Sequence, residues 1–431
     1  MKTQWMVAGV VVLALGAAAP WGVGYYTEHQ WQSVAAGIND SQTAFRVETR
    51  DYDRGYMNAS IRGSVTVVMP ETGEQQSFDY QARVSHGITG SLMDFSTPED
   101  LSAEVKKYFP DERPRLTLET RIWGAGIVEL TIPEVNVTDE QTGETMVFSR
   151  AYGRADIGSA GTTADIILEW PGMTVTGPDA DFSVSDLKME QSVEHLTGEL
   201  WLGDVDMSLA SLQISAPQQP KVAFSGLSII STSDATENGA RLNADASFKL
   251  DEVQANGEVF GPHEIQMRLD GLDVASMEAL SAAMNDMQHA ALNMPADAGP
   301  QAQMQQQMAM VQKISEAFSS LASEGFTFGF PKIDLSTPEG PVTGEIQLSH
   351  PELSDEEKQQ TLLVMQGLTG NLDLSMPAAL VDNNPGLAMQ VAPLIQQGMV
   401  VQEGDRLHMV GTLEDMALTI NGNVIPLPPI F

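Results

Sequence analysis

Leu242-Asn243-Ala244-Asp245-Ala246-Ser247-Phe248 alternates apolar and polar side chains at every step. Successive side chains of a strand point to opposite faces. Four apolar residues of this run therefore line one face, and Asn243, Asp245 and Ser247 line the other. Phe78-Asp79-Tyr80-Gln81-Ala82-Arg83-Val84 and Leu116-Thr117-Leu118 read the same way, as do most segments between Tyr52 and Val274. Turn signals punctuate them at Glu71-Thr72-Gly73, Gln141-Thr142-Gly143, Asn238-Gly239 and Asn256-Gly257. A second spacing, apolar-x-apolar-x-x-apolar-x-apolar, recurs at Leu130–Val137, Leu168–Val175, Phe182–Met189, Met207–Ile214, Val222–Ile229, Met267–Val274 and Phe328–Leu335. Two alternating halves offset by one residue suit a strand carrying a bulge, which bends and twists a sheet. The region is expected to form many short, curved antiparallel strands.

Helical periods flank and interrupt the strands. Thr97-Pro98-Glu99-Asp100 offers an N-cap and a proline at the first helical position, opening a helix that ends near Phe109. Met277, Leu280, Met284, Met287 and Leu292 follow helical spacing until Asn293-Met294-Pro295 and Gly299-Pro300 break it. A second stripe carries Met304, Met308, Val311, Ile314, Phe318 and Leu321. These two runs predict a Met-rich helical hairpin packed on the sheet. Methionine repacks around varied partners, so Met304, Met308, Val311 and Phe318 are candidates for a lid or interface. Further on, strands are expected near Phe326–Leu335 and Val342–His350, then a helix opened by Ser354-Asp355-Glu356-Glu357, a capping box. A strand at Leu372–Met376 and a helix from Pro385 to Gly398 follow. The last element is a hairpin, Arg406–Val410 with Leu418–Ile420 and an Asn421-Gly422 turn into Val424-Ile425.

At the N-terminus no charged side chain occurs from Trp5 to Trp21, and Val10, Val11, Val12, Leu13 and Leu15 make the centre apolar. About 20 apolar residues cross a bilayer, so residues 1–26 are expected to form a transmembrane helix. Trp5 at one end and Trp21, Tyr25 and Tyr26 at the other suit the interface. Ala17-Ala18-Ala19 has the pattern of a signal cleavage site, but Pro20 follows it, which favours a retained anchor. Trp31, Val34, Ile38 and Phe45 then fall on one face of a connecting helix. The expected organisation is an anchor over 1–26, a connecting helix over 27–50, a β-rich region over 51–275, the hairpin over 276–325 and an α+β region over 326–431. The expected fold class is α+β, predominantly antiparallel curved sheet with packed helices behind one transmembrane helix. This puts the chain in a bacterial inner membrane with its bulk in the periplasm.

The chain has 431 residues, no cysteine, and 58 Asp and Glu against 22 Lys and Arg, a net charge of −36. The absence of cysteine removes disulfides, thiolate nucleophiles and Cys-bound metals. The charge repels nucleic acid, so no nucleic-acid role is expected. The acids are dispersed along the chain, as suits a domain facing a saline exterior. No nucleophile elbow, phosphate loop or dinucleotide fingerprint occurs. His263-Glu264-Ile265-Gln266-Met267 begins like a zinc-protease helix but has Met267 where the second histidine belongs. Asp270-Gly271-Leu272-Asp273 reads as a turn, and His86 before Gly87 as a strand-end hydrogen bonder. No catalytic residue, cofactor or metal is expected.

Tyr52-Asp53-Arg54-Gly55-Tyr56 after the N-terminal helix, with Ser60 opening the next strand, resembles the signature of the YdgA-like family of bacterial envelope proteins. That family has a His-Gly-Pro turn where this chain reads His86-Gly87-Ile88. Its closing hairpin is similar to Gly398–Asp405 running through Thr419-Ile420-Asn421-Gly422. The resemblance implies an inner-membrane anchor and a self-associating periplasmic domain, with no catalytic residues. Read from the residues, Gly55 suits a positive-φ turn. Arg54 is expected to pair with Asp51, Asp53 or sheet-edge carbonyls, and Tyr52 and Tyr56 to cover the sheet's end. The expected function is non-enzymatic: binding of lipid or another hydrophobic ligand along the sheet. The alternatives are a scaffold for envelope proteins and a hydrolase with a dispersed site.

Overall fold

A computed structural model of the chain describes residues 2–41, 45–68, 75–96, 108–110, 112–140, 142–198, 200–292, 300–358 and 360–426. The chain divides into two compact units, Met1–Ser192 and Val193–Phe431.

The first unit opens with α1 (Lys2–Ser41), one 40-residue helix containing Pro20. An antiparallel meander follows: β1 (Phe45–Arg54), β2 (Asn58–Val68), β3 (Gln75–His86), β4 (Gly90–Ser96), β5 (Arg115–Arg121) and β6 (Gly126–Ile132) each pair with the next. β7 (Val135–Thr138) continues β6 past Pro133-Glu134. The return path is β8 (Thr145–Phe148) and β9 (Ala151–Ile157), which pair with β7 and β6, and β10 (Thr163–Thr176) pairs with both. β11 (Asp181–Thr197) crosses the boundary between the units. The core shows why alternation became sheet. Ala59 and Ile61 on β2 face Val84 and Ala82 on β3, Val84 faces Met93 on β4, and all five are buried. Trp31 of α1 packs on this ladder. At about 1.5–3 kcal/mol for each large apolar side chain fully removed from water, these few residues hold the helix to the sheet.

The second unit is again a meander. It runs through β12 (Leu200–Ser215), β13 (Val222–Thr236) and β14 (Arg241–Ala255), whose partner path is broken into β15 (Glu258–Phe260) and β16 (His263–Asp273). α2 (Val274–Leu292) and α3 (Pro300–Ser323) come next, then β17 (Phe326–Thr337) and β18 (Gly340–His350). Short helices α4 (Asp355–Lys358) and α5 (Thr361–Gln366) lead to β19 (Thr369–Pro377), α6 (Ala378–Asn383) and α7 (Pro385–Gln396). β20 (Val401–Glu403), β21 (Arg406–Glu414), β22 (Ala417–Ile420) and β23 (Asn423–Pro426) close the unit, with β21 pairing β19. Leu242, Leu272, Val274, Leu321, Ala322, Phe326 and Val364 form one closed core, and Val381, Val391, Val400 and Leu407 a second. The Arg241 guanidinium staples this unit by donating to the carbonyls of Gly271 (3.2 Å) and Glu324 (2.6 Å) and pairing with Glu352 (3.2 Å).

Several expectations are corrected. The fold is predominantly antiparallel sheet with few helices, not α+β. Among the described residues no helix is long and apolar enough to cross a membrane. The expected anchor and connecting helix are instead one helix, α1. Its buried stripe includes Val23, Thr27, Trp31 and Ala35 at a four-residue interval, with Pro20 and Gly24 beside it, and Val34 is exposed. Phe45 is not helical but opens β1. The strands are not short: β10 to β14 run 14–17 residues. Pairing and backbone extend them through the two-residue gaps of the recurring pattern. Gly172, Asp186, Gly226 and Gly271 take positive φ at those gaps, the register shifts between Phe330 and Ile333, and Pro133-Glu134 separates β6 from β7. An extra residue at each gap returns the apolar set to its original face. The capping box forms by halves: Glu357 accepts from the Ser354 backbone N–H (2.9 Å), but the Ser354 hydroxyl donates to that same carboxylate instead of capping. The helix expected over 97–109 and the Glu71-Thr72-Gly73 turn lie almost wholly outside the described residues.

Candidate functional site

Beside the buried ladder of the first unit, α1 does not close the sheet. A cavity of about 890 Å³ remains between Tyr26, Gln30, Trp31 and Val34 of α1 and the sheet face carried by β1 to β6 and β9. Its floor is the even-numbered run Leu116, Leu118 and Thr120 of β5 and Ile122 just beyond it, with Val128 on β6 and Ile157 on β9. Trp31, Tyr80 and Phe95 form an aromatic wall, with centroids 5.3–6.3 Å apart. Trp31 is fixed by its indole N–H, which donates to Thr49 Oγ1 at 2.9 Å. No charged side chain lines the cavity. Strand alternation sends the charges of β5, Arg115, Glu119 and Arg121, to the opposite face, where Arg121 pairs with Glu119 and Arg115 with Asp94 on β4.

The signature residues of the sequence gather at one end of this sheet, around α1. Arg54 does not pair with Asp51 or Asp53. Nη1 reaches Glu28 on α1 at 2.9 Å, and the guanidinium lies 5.7 Å from the Trp21 ring and 5.3 Å from the Tyr25 ring. Sequence reasoning looked along β1 for a partner, whereas α1 lies alongside it. Tyr52 packs on the core. Burial, and then the Glu28 carboxylate, push its phenol up to about 12, with Arg54 acting the other way. Tyr56 is exposed. Gly55 does not take positive φ. A Cβ there would stand 2.5 Å from Asn58 Oδ1, so close approach explains the glycine. Gly87 is similar: its N–H donates to Gly90 O at 2.8 Å, and a Cβ would stand 3.2 Å from that oxygen.

His86 is buried at the point where α1 crosses the end of β3. The Thr27 hydroxyl donates to Val23 O (2.8 Å), so at its 2.7 Å contact with Ser91 the Ser91 hydroxyl is the donor. His86 Nδ1, 2.8 Å from Ser91 Oγ, must then donate to it, leaving Nε2 as a bare lone pair without a partner. Nε2 faces Gly24, where a Cβ would approach within 2.9 Å. Burial first, and the positive Arg54 second, pull the imidazole below its ordinary pKa. In this arrangement the imidazole is a donor to Ser91 and not a base for it, and neither residue lines the cavity. Thr27, Glu28 and Ser91 were not singled out in the sequence. The four-residue interval from Val23 to Ala35 was the signal that could have found Thr27.

Asn421 and Gly422 belong to the second unit, at the turn between β22 and β23, with φ of 46° and 83°. The Asn421 side chain donates to Met399 O (2.8 Å) and His408 O (3.0 Å) and accepts from the Val410 N–H (3.2 Å). It fastens the closing hairpin. Phe318 is half-buried on α3, while the side chains of Met304, Met308 and Val311 lie outside the described residues. Among the described residues no group of His, Asp and Glu is arranged to hold a metal. No curated protein and no solved structure matches the chain. The match is to a family model that spans residues 1–428, and the chain therefore belongs to the family described as bacterial protein of unknown function (DUF945).

Proposed function

We propose that the chain is a non-enzymatic binding protein that holds an elongated apolar ligand, of the lipid-chain class, in the cavity beneath α1. The observation that carries this reading is the cavity itself. Its volume of about 890 Å³ lies in the range of ligand clefts, its walls are apolar and aromatic, and its few polar side-chain groups are hydroxyls, indole N–H groups and one amide. A cavity without a charged residue gives little purchase for hydrolysis or for a polar substrate, but it suits a hydrocarbon chain held by dispersion and burial. An envelope location is part of the proposal. It is supported by the uncharged stretch Trp5–Trp21 and by the resemblance to the YdgA-like family. The test is mass spectrometry of lipid extracted from the purified full chain. Stoichiometric lipid that disappears in Val128→Trp, which fills the cavity, is the expected result. A lipid-free wild-type chain contradicts the reading.

A further inference from the structure

Three hydrogen bonds join four turns at one end of the first unit's sheet. The His86 N–H donates to Met57 O (2.8 Å), the Ile122 N–H to Thr89 O (3.0 Å) and the Ala160 N–H to Trp123 O (3.0 Å). The turns 55–57, 87–89, 122–125 and 158–162 are thus neighbours, and none contains a charged residue in a chain of net charge −36. The connections at the other end read differently. In sequence, the stretches that link strands there, 69–74, 97–114, 139–144 and 177–180, carry eleven Asp and Glu against three basic residues, Lys106, Lys107 and Arg113. Charge is therefore sorted between the two ends of the sheet.

The uncharged end exposes large apolar and aromatic side chains. Tyr56, Met57, Ile88 and Trp123 stand at the turn tips, with Trp21 and Tyr25 of α1 beside them, and each is between half and two-thirds exposed. Helix α1 is oriented by its contacts. Asn39 bonds Val47 at the start of β1, at 2.8 Å in both directions, while Gly24 meets His86 and Trp21 meets Arg54 at the uncharged end. The helix residues before Trp21, free of charge back to Trp5, therefore continue outward from that end. Ile122 and Trp123 also line the cavity, so its wall reaches this end.

We propose that these turn tips form a bilayer-interface surface, with Trp21, Tyr25, Tyr56, Met57, Ile88 and Trp123 seated in the headgroup layer of a zwitterionic membrane. Tryptophan and tyrosine have an apolar body and a polar tip and favour that layer. The absence of charge at the turns removes the repulsion that the acidic remainder of the chain would meet at an anionic surface. A set of protruding tips suits a yielding lipid surface, whereas a protein partner is usually met by a patch with a buried centre. This surface stands independently of the ligand cavity.

The chain has no cysteine, so single-cysteine variants report one site each. Met57→Cys, Ile88→Cys and Thr142→Cys in the full chain would carry an environment-sensitive fluorophore. Each would be incubated with phosphatidylcholine vesicles that contain nitroxide-labelled lipid near the headgroups. Strong quenching at positions 57 and 88 and none at 142 is the expected result. Unquenched labels at 57 and 88, equal quenching at all three positions, or absence of vesicle binding would each overturn the proposal. Protection of positions 57 and 88 by another protein without lipid quenching would do the same. A lipid-free purified chain that still shows the site-selective quenching would remove the ligand reading and leave the interface standing.

Discussion

The two units begin from the same device, an antiparallel meander with one apolar face, and cover that face differently. In the second unit α2 and α3 meet the sheet at Leu242, Leu272, Leu321, Ala322 and Phe326 and close that part of the face, while Phe248, Leu250 and Ile265 farther along it line a smaller open cleft of about 300 Å³. In the first unit a single helix, α1, covers the ladder of Ile61, Ala82, Val84 and Met93 and leaves the adjoining face open as the cavity. One helix is narrower than the sheet that it covers, and nothing else among the described residues fills the remainder. The difference teaches that apolar alternation specifies a buried face without specifying what buries it. Where helices press on the face the result is core, and where they stop short the face stays open, most widely beside the single helix of the first unit.

The largest effect that would sharpen this contrast is on the closed side. Phe326→Ala leaves a void that the second unit's packed core has no means to fill, and should cost about 3–5 kcal/mol in chemical denaturation. Ile61→Ala, at the fully buried centre of the first unit's ladder, should cost about 2–5 kcal/mol. A small cost there would break the claim that the ladder holds α1. Adding volume separates the two faces more directly. Ala322→Leu overpacks the closed core and should lose about 1–3 kcal/mol. Val128→Trp enters the open cavity and should leave the unfolding midpoint nearly unchanged while abolishing ligand binding. Equal losses in those two variants would mean that the cavity is a packed interior after all.

The smallest effect is electrostatic. His86 has a pKa below its ordinary value, so the folded state resists a proton that the unfolded state accepts. Its contribution to stability is fully present above about pH 6.5. It declines as pH falls through that value toward the lower folded pKa. His86→Gln should flatten the acid limb of a pH–stability profile. An unchanged limb would show that the buried imidazole does not titrate as its surroundings dictate.

Much of the fold was legible in the sequence, and particular residues show why. Phe78–Val84 and Leu242–Phe248 lie in strands as their alternation requires, and Asn238-Gly239 and Asn256-Gly257 take the positive φ that such pairs favour. The two-residue gaps of the recurring pattern mark irregularities such as those at Gly172, Asp186 and Gly271. What failed was what depends on distance in space. Arg54 was matched with acids on its own strand because Glu28, 26 residues away, is a neighbour only once α1 turns back along β1. Gly55 was assigned a positive φ when crowding by Asn58 accounts for it. The cavity was expected only as an apolar sheet face, since its walls come from seven strands and one helix that no local pattern joins. The helix itself was split at Tyr26, because its sequence passes from apolar to mixed residues without a break in the backbone.

The central claim is that the face left open beside α1 binds an apolar ligand. It is tested most directly by titrating the delipidated full chain with N-phenylnaphthylamine, an uncharged apolar fluorophore, in wild type, Val128→Trp and Ala322→Leu. Saturable binding at one site per chain, lost in Val128→Trp and retained in folded Ala322→Leu, is the predicted result. Binding that is absent in wild type, or indifferent to Val128→Trp, would contradict it.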